Sequence, residues 1–297
     1  MKKLLFIVNP VAGMMKSKPY MLTILRTFCE SDYVPTVLTT RSKGDATAFV
    51  TEHAAEFDRV VCCGGDGTLS ETIAGVIASG ASLPIGYLAA GSTNDLARTL
   101  GIPLNIPKAA INAVHGVPTG LDIGLVNGQK SFSYVASFGL FTRTSYETPQ
   151  ELKNVFGHLA YLWEGAKELT NIPSYEMTVI TPNGTVSDSY IFGAVTNSLS
   201  IGGVFKFKPS RVSLNDGLFE IMLIRRPRDL IELGSIVSHM KDGTFEDPNI
   251  VFMQAESLAI RSKETVAWTF DGEFGGDYTD MKIENQRRRI EIILPQE

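Results

Sequence analysis

The clearest fold signal in this chain of 297 residues reads Val60-Val61-Cys62-Cys63-Gly64-Gly65-Asp66-Gly67-Thr68-Leu69-Ser70-Glu71. The short apolar run at its start predicts a buried strand, and the residues after Gly67 predict a helix. Glycines let the backbone turn sharply between these elements and expose N–H groups without an obstructing Cβ atom. Because a helix start carries partial positive charge, we predict that this loop binds phosphate.

The acid inside this loop calls for a further explanation. Asp66 would repel a phosphate unless a divalent cation bridges its carboxylate to the phosphate oxygens. Thr68 and Glu71 also have the spacing of a capping box, in which two side chains bond backbone N–H groups at a helix start. We therefore predict a capped helix beginning at residue 68, with a metal beside it.

Strands and helices alternate through residues 1–125, which predicts a parallel sheet covered on both faces. The predicted strands are Leu4–Val8, Thr36–Thr39, Arg59–Cys63 and Pro84–Ala89. The predicted helices are 18–31, 45–57, 68–79, a helix starting near Thr93, and 107–115. This half reads as an α/β nucleotide-binding domain.

The pattern changes to short alternating strands at about residue 126. Asn127-Gly128 and Asn183-Gly184 each separate two such strands, which is a strong hairpin signal. Later predicted strands are Leu218–Ile224, Ser257–Ile260, Thr265–Phe270 and Arg289–Leu294, with helices at 150–169 and 228–241. We predict an antiparallel β-sandwich domain over 126–297, with a boundary that rests on the change of period alone.

Four further segments carry polar groups in loops. Val8–Gly13 and Gly91–Arg98 each follow a predicted parallel strand, so they should share the carboxyl edge of the sheet, where open α/β sheets bind ligands. In the second half, Val212–Glu220 and Phe270–Glu273 each contain an Asp-Gly turn. The carboxylate, amide and carbonyl oxygens of Val212–Glu220 suit a hard cation, which makes this segment a candidate metal loop.

The composition of the chain disfavours several classes of function. The chain has 27 basic and 32 acidic residues and a net charge of −5, which disfavours duplex nucleic acid as a partner. Three cysteines without metal-ligand spacing are typical of a reduced cytoplasmic protein. Since no apolar run approaches the roughly 20 residues of a membrane helix, we expect a soluble protein that meets lipid only at the membrane surface.

In the order and spacing of these motifs, the chain resembles the diacylglycerol kinase catalytic-domain family, in its soluble bacterial branch. The segments that carry the resemblance are Asn9–Gly13, Gly64–Glu71, Gly91–Arg98, Asp216–Leu218 and Asp271–Glu273. The Gly-Gly-Asp-Gly-Thr loop alone is shared with NAD kinases and is similar to the phosphofructokinase loop. The resemblance implies a parallel α/β ATP-binding domain of that kind, followed by an antiparallel β-sandwich domain for the lipid substrate.

The resemblance also implies roles for individual residues. Asp66 would place a catalytic Mg²⁺, and the general base would be Asp271 or Glu273, which the sequence does not separate. A structural Mg²⁺ would be held by Asp216 and by main-chain oxygens at Ser213 and Leu218, although Asn215 stands where relatives often have a second acid. The implied ATP contacts are Asn9, Pro10, Val11, Ala12, Gly13, Thr40, Gly64, Gly65, Asp66, Gly67, Thr68, Leu69, Ser70, Glu71 and Thr93.

Together these features predict an ATP- and Mg²⁺-dependent kinase that phosphorylates a lipid hydroxyl, with diacylglycerol favoured and phosphatidic acid as product. Two alternatives stay open: an NAD kinase-like phosphotransferase, and a non-catalytic protein that binds nucleotide or lipid. The expected location is the cytoplasm, peripheral at the inner membrane face. A homodimer is left open, and the apolar helix 150–169 is either domain core or part of an acyl-chain groove.

Overall fold

A computed structural model describes residues 1–140, 172–198, 200–201, 205–206, 213–241 and 243–296. The chain divides into two compact units. The first unit comprises Met1–Ile123 with Arg287–Glu297, and the second unit comprises Gly124–Gln286. The predicted helix 150–169 lies outside the described residues.

The first unit is built on a parallel sheet, as the alternating pattern predicts. Its strands β1 (Lys2–Val8), β2 (Tyr33–Thr39), β3 (Arg59–Gly64) and β4 (Ile85–Ala89) stand in the order β4-β3-β1-β2. Its helices are α1 (Met21–Glu30), α2 (Asp45–His53), α3 (Asp66–Ser79), α4 (Asp95–Thr99) and α5 (Ile106–His115). Three short 3₁₀ turns cover Ala12–Met14, Lys18–Tyr20 and Ala54–Glu56. Every residue of β3 and β4 is buried, which explains why both strands are apolar apart from Arg59, whose Nη1 donates to the Ala113 carbonyl at 2.7 Å.

The C-terminal segment belongs to the first unit, whereas the sequence places residues 287–297 in the second domain. Ile292 pairs with Ile85 as a further parallel strand beside β4. The buried Asn112 side chain donates a hydrogen bond from Nδ2 to the Ile293 carbonyl, at 3.1 Å. An alternating strand pattern does not show which sheet a strand joins. The sequence therefore could not predict that the C-terminal strand returns to the first unit.

The second unit is an assembly of mainly antiparallel strands with one described helix, α6 (Leu230–Lys241). Its strands are β5 (Val117–Val126), β6 (Lys130–Phe132), β7 (Val135–Gly139), β8 (Tyr175–Thr181), β9 (Gly184–Thr196), β10 (Ser200–Ile201), β11 (Phe205–Lys206), β12 (Phe219–Arg225), β13 (Ile250–Ala255), β14 (Ser257–Phe270) and β15 (Glu273–Leu294). Strands β5 and β15 also extend into the first unit. The order β13-β12-β9-β7-β14-β15 is antiparallel at every pairing. Aromatic side chains fill its core, where the rings of Phe138 and Trp268 lie 4.8 Å apart.

Turn chemistry accounts for the strand pairing. Asn127 and Gly128 have φ angles of 49° and 71°, so both adopt the left-handed conformation that a tight β5–β6 hairpin requires. In the second predicted hairpin, Thr181 pairs directly with Gly184, so the turn itself is Pro182-Asn183. The two predicted strands at 257–270 form the single strand β14, whose register shifts between Arg261 and Val266.

Candidate functional site

Three loops of the first unit meet beyond the carboxyl ends of β1, β3 and β4. The backbone N–H of Asn9 donates to the Cys63 carbonyl at 2.9 Å, and that of Ala90 donates to the Gly64 carbonyl at 2.8 Å. The loops are packed so closely that side chains would clash: a Cβ atom on Gly91 would lie 2.6 Å from Cα of Gly65. Gly91 is therefore required because the two loops are in contact there, in addition to any requirement of the turn itself.

The first loop is attached to the start of α3 through Asn9. Its Nδ2 donates to Oγ1 of Thr68 at 3.0 Å, and its Oδ1 accepts from the backbone N–H of Val11 at 3.1 Å. Gly13 has φ 52° and lies so near the Ala90 carbonyl that a Cβ atom would sit 2.0 Å from its oxygen. The sequence places Asn9 and Gly13 in one candidate ligand loop. In the structure, Asn9 fixes this loop to α3 and Gly13 allows it to approach Ala90.

The predicted capping box is wrong. Helix α3 begins at Asp66 after Gly65, and within the described part of the chain no side chain caps it. The hydroxyl oxygen of Thr68 instead accepts a hydrogen bond from Asn9. Oε1 of Glu71 accepts from the backbone N–H of Gly44, at 2.9 Å. Asp66 and Gly67 thus lie in the first helical turn, where backbone N–H groups lack intrahelical partners and can bind an anion.

The contact between the loops brings two carboxylates together. The backbone N–H of Asp95 donates to Oδ2 of Asp66 at 3.1 Å, and Asp95 is only 6% exposed. Burial, reinforced by the negative charge of Asp66, raises the pKa of Asp95 to about 6. A divalent cation would be attracted to such a pair, because it offsets both the repulsion and the loss of solvation.

The sequence identifies the polar segment Gly91–Arg98 as a candidate ligand loop, but Asp95 is not among the site residues predicted from it. Its position depends on Asn94, which takes a left-handed conformation at φ 55° and donates from Nδ2 to the Gly91 carbonyl, at 3.0 Å. This geometry ends the loop and starts α4 at Asp95.

The remaining predicted ATP residues of the first unit lie around these loops. Thr40 follows β2, and its backbone N–H donates to the Val8 carbonyl at 2.9 Å. Pro10 and Val11 are exposed, as is Thr93. The Leu69 side chain is buried in α3 and so is a structural neighbour of the site.

In the second unit the structure distinguishes the two candidate bases. Asp271 forms a tight turn with Gly272, with φ 51° and 82°, and its carboxylate is 6% exposed. Oδ2 accepts from the backbone N–H and the hydroxyl of Ser133, and Oδ1 accepts from the N–H groups of Tyr134 and Val135, at 2.7–3.2 Å. Glu273, by contrast, is exposed.

The predicted metal loop is a compact turn ahead of β12. Oδ1 of the exposed Asp216 accepts from the backbone N–H of Leu218 at 3.0 Å. The hydroxyl of Ser213 lies 3.4 Å from Oδ1 of Asn215, and Nδ2 of Asn197 donates to the Leu214 carbonyl, at 3.3 Å. Among the described residues no three His, Cys, Asp or Glu side chains are grouped for metal binding, so a cation here would depend on main-chain oxygens as well.

The raised pKa of Asp95 predicts how the stability of the protein depends on pH. The folded state favours the neutral carboxyl, so the stabilisation from this group is complete below pH 3.8 and is lost as the pH rises through about 6. Asp95→Asn should therefore raise the free energy of unfolding by about 2 kcal/mol at pH 7.5 in Mg²⁺-free buffer, and the gain should vanish near pH 4. Urea unfolding at both pH values measures it.

Asp45→Asn is the matched control for this prediction. Hydrogen bonds from the backbone N–H of Arg41 and from Ser42 lower the pKa of Asp45. Its replacement should cost stability at pH 7.5, the opposite sign. If Asp95→Asn were instead destabilising at pH 7.5, the Asp95 carboxyl would be held by favourable contacts and the repulsive pairing with Asp66 would be refuted.

Comparison with known proteins agrees with this architecture. Residues 3–126 match the family model described as diacylglycerol kinase catalytic domain, and residues 135–292 match the one described as YegS C-terminal NAD kinase beta sandwich-like domain. A crystal structure of a diacylglycerol kinase from Bacillus anthracis superposes with a TM-score of 0.78 at 23% identity, covering 99% of this chain and 97% of the other. The predicted fold class, parallel α/β domain followed by β-sandwich, is confirmed.

Curated relatives match over the whole length. Diacylglycerol kinase of Bacillus subtilis is 32% identical over 100% of this chain and 98% of its own. Diacylglycerol kinase of Staphylococcus epidermidis is 29% identical over 100% of this chain and 93% of its own. None of the helices in the described part of the chain has the length and apolar character needed to cross a bilayer. The chain belongs to the diacylglycerol kinase family and is a lipid kinase.

Proposed function

We propose that this kinase transfers the γ-phosphoryl group of ATP to the free hydroxyl of diacylglycerol, giving phosphatidic acid. The observation that carries the proposal is the pairing of Asp66 with Asp95 beside the uncapped start of α3. Phosphoryl transfer depends on positioning and charge neutralisation, and this arrangement offers N–H donors for phosphate oxygens next to acids for a cation. The names of the full-length relatives favour diacylglycerol as acceptor.

The ATP phosphates would be bound by backbone N–H groups of Gly65, Asp66 and Gly67. Asn9 and Thr68 are bonded to each other, so their role would be to hold the first loop against α3. Thr40, Thr93 and the 10–13 turn lie at the margin of the same edge of the sheet, where they would contact the rest of the nucleotide. Glu71 accepts a hydrogen bond from the backbone N–H of Gly44, so its role would be to hold the start of α2 against α3.

The carboxylates of Asp66 and Asp95 fit Mg²⁺. Hard cations prefer carboxylate oxygens, and a bound cation would offset both the burial and the Asp66 charge that raise the pKa of Asp95. When bound, Mg²⁺ would neutralise the charge that develops on the phosphates. Asp66 and Asp95 would orient the ion. The glycine loops would keep side chains away from the position of the phosphates.

Of the two candidate bases we assign the proton transfer to Glu273. Each oxygen of the buried Asp271 carboxylate already accepts two hydrogen bonds, so no lone pair is left to approach a substrate hydroxyl. Glu273, two residues further on, is exposed and can approach a lipid hydroxyl. Asp271 would act as a positioning residue that fixes the turn carrying Glu273.

Asp216, with main-chain oxygens of Ser213 and Leu218, would hold a second, structural Mg²⁺.

The substrate lies in a bilayer, and the first unit has a surface suited to one. Met14 is 93% exposed, Met15 is 51% exposed, and both adopt left-handed backbone conformations with φ near 60°. Such strain is uncommon for non-glycine residues and is concentrated at functional sites. With Val11 and Leu22, these side chains form an exposed apolar segment that also carries Lys16 and Lys18. This combination favours contact with an anionic lipid surface.

The assignment of the base predicts different outcomes for two similar substitutions. Glu273→Gln should lower kcat about 10²–10⁴-fold, because the proton acceptor is lost, while the melting temperature stays unchanged. Asp271→Asn should lower the melting temperature as well, because an amide cannot accept all four hydrogen bonds. Labelled ATP with diacylglycerol vesicles measures activity, with NAD as the competing acceptor. Full activity in Glu273→Gln would refute the assignment, and labelling of NAD alone would refute the substrate.

The apolar segment predicts a dependence on how the substrate is presented. Replacing Met14 and Met15 by Ser should reduce phosphorylation of long-chain diacylglycerol in anionic vesicles by about tenfold or more, since each buried side chain contributes roughly 1.5–3 kcal/mol. Phosphorylation of a soluble short-chain diacylglycerol should not change. Ile111→Ser, which removes another half-exposed apolar side chain of the first unit, is the control and should behave as wild type. Equal loss on both substrates would contradict a membrane-contact role.

A further inference from the structure

Glu220 is a fully buried acid that the reaction described above does not use. It lies on β12, two residues after the metal loop 213–218, and its exposed fraction is 0%. Nε2 of Gln254 donates to its Oε1 at 3.0 Å, and its Oε2 has no hydrogen-bond partner among the described residues. Buried carboxylates are normally paired with a cation or fully hydrogen-bonded, because desolvation of an unpaired charge is costly.

Among the residues that the structure describes, no basic side chain is paired with Glu220 to compensate its charge. No ion pair within the described ranges includes Glu220. Its cross-strand neighbours are the neutral residues Thr196 and Gln254. The charge that acts on it is a further negative one, the carboxylate of Asp216.

We infer that Glu220 is the second acidic group of the divalent-cation site on the 213–218 loop. Its unpaired Oε2 holds the cation, either directly or through a water molecule in the coordination shell. The inference rests on the structural Mg²⁺ of the proposed function and adds a residue to it. Asp216 and Glu220 together supply two negative charges, which match the charge of the ion, and Asn197 fixes the loop through the Leu214 carbonyl.

Glu220→Gln separates this role from a purely structural one. The amide has nearly the same shape and keeps an oxygen that can accept the hydrogen bond from Gln254, but it removes the charge. In a structural role, the substitution leaves cation binding as it was. Gln254→Met is the matched control, because it removes that hydrogen bond while leaving the carboxylate in place.

The experiment measures Mn²⁺ binding to nucleotide-free protein by electron paramagnetic resonance. The parent carries Asp66→Asn, which weakens cation binding at the phosphate loops. Added to this parent, Glu220→Gln should raise the Mn²⁺ Kd about 10–100-fold and abolish the rise in melting temperature that Mg²⁺ produces. Without metal its melting temperature should equal or exceed that of the parent, which shows that the variant folds. Gln254→Met should bind Mn²⁺ as the parent does.

Two results would overturn the inference, and Asp216→Asn tells them apart. If Glu220→Gln binds Mn²⁺ as tightly as the parent while Asp216→Asn loses binding, the loop is a metal site but Glu220 is no part of it. If both variants bind as the parent does, the structural Mg²⁺ of the proposed function fails together with the inference. As a measurement that leaves Glu220 unsubstituted, the ¹³C signal of the Glu220 carboxyl in the parent should shift when Mg²⁺ is added, and an unchanged signal contradicts its role.

Discussion

The contact between Gly65 and Gly91 is the steric constraint on which the site of the first unit depends. Two loops that follow neighbouring strands approach until no Cβ atom fits at Gly91. That approach lets the Asp95 N–H reach the Asp66 carboxylate, and it buries Asp95 beside another acid. A bulkier residue at Gly91 would separate the two loops and so the carboxylates of Asp66 and Asp95. In the proposed site, the affinity for a cation would therefore depend on backbone packing.

The acids of this protein differ by their surroundings more than by their type. Asp271 is saturated with hydrogen bonds and fixes a turn, whereas Glu273 on the same turn is exposed. Asp95 and Glu220 are buried with too few positive or hydrogen-bonding partners, which raises both of their pKa values. In the function that we propose, the same functional group would serve as scaffold, as proton acceptor or as cation ligand, depending on which donors reach it.

Local patterns in the sequence predict the fold class and the loops well, because strand–glycine–helix and Asn-Gly signals act over a few residues. The partners of those loops lie far away in the chain. Thr68 is bonded by Asn9, 59 residues earlier, so the predicted capping box does not form. The donors that distinguish Asp271 from Glu273 begin at Ser133, 138 residues earlier. Periodicity likewise cannot show that Ile292 pairs with Ile85 in the first unit.

The central claim is that the start of α3 binds the ATP phosphates with a cation held by Asp66 and Asp95. Backbone hydrogen exchange over residues 64–72 tests it most directly, with ATP alone, Mg²⁺ alone and both together. The account predicts strong protection of the N–H groups at Gly65, Asp66 and Gly67 only when ATP and Mg²⁺ are both present, and little protection in Asp66→Asn. Unchanged exchange in this segment at saturating ATP and Mg²⁺ would contradict it.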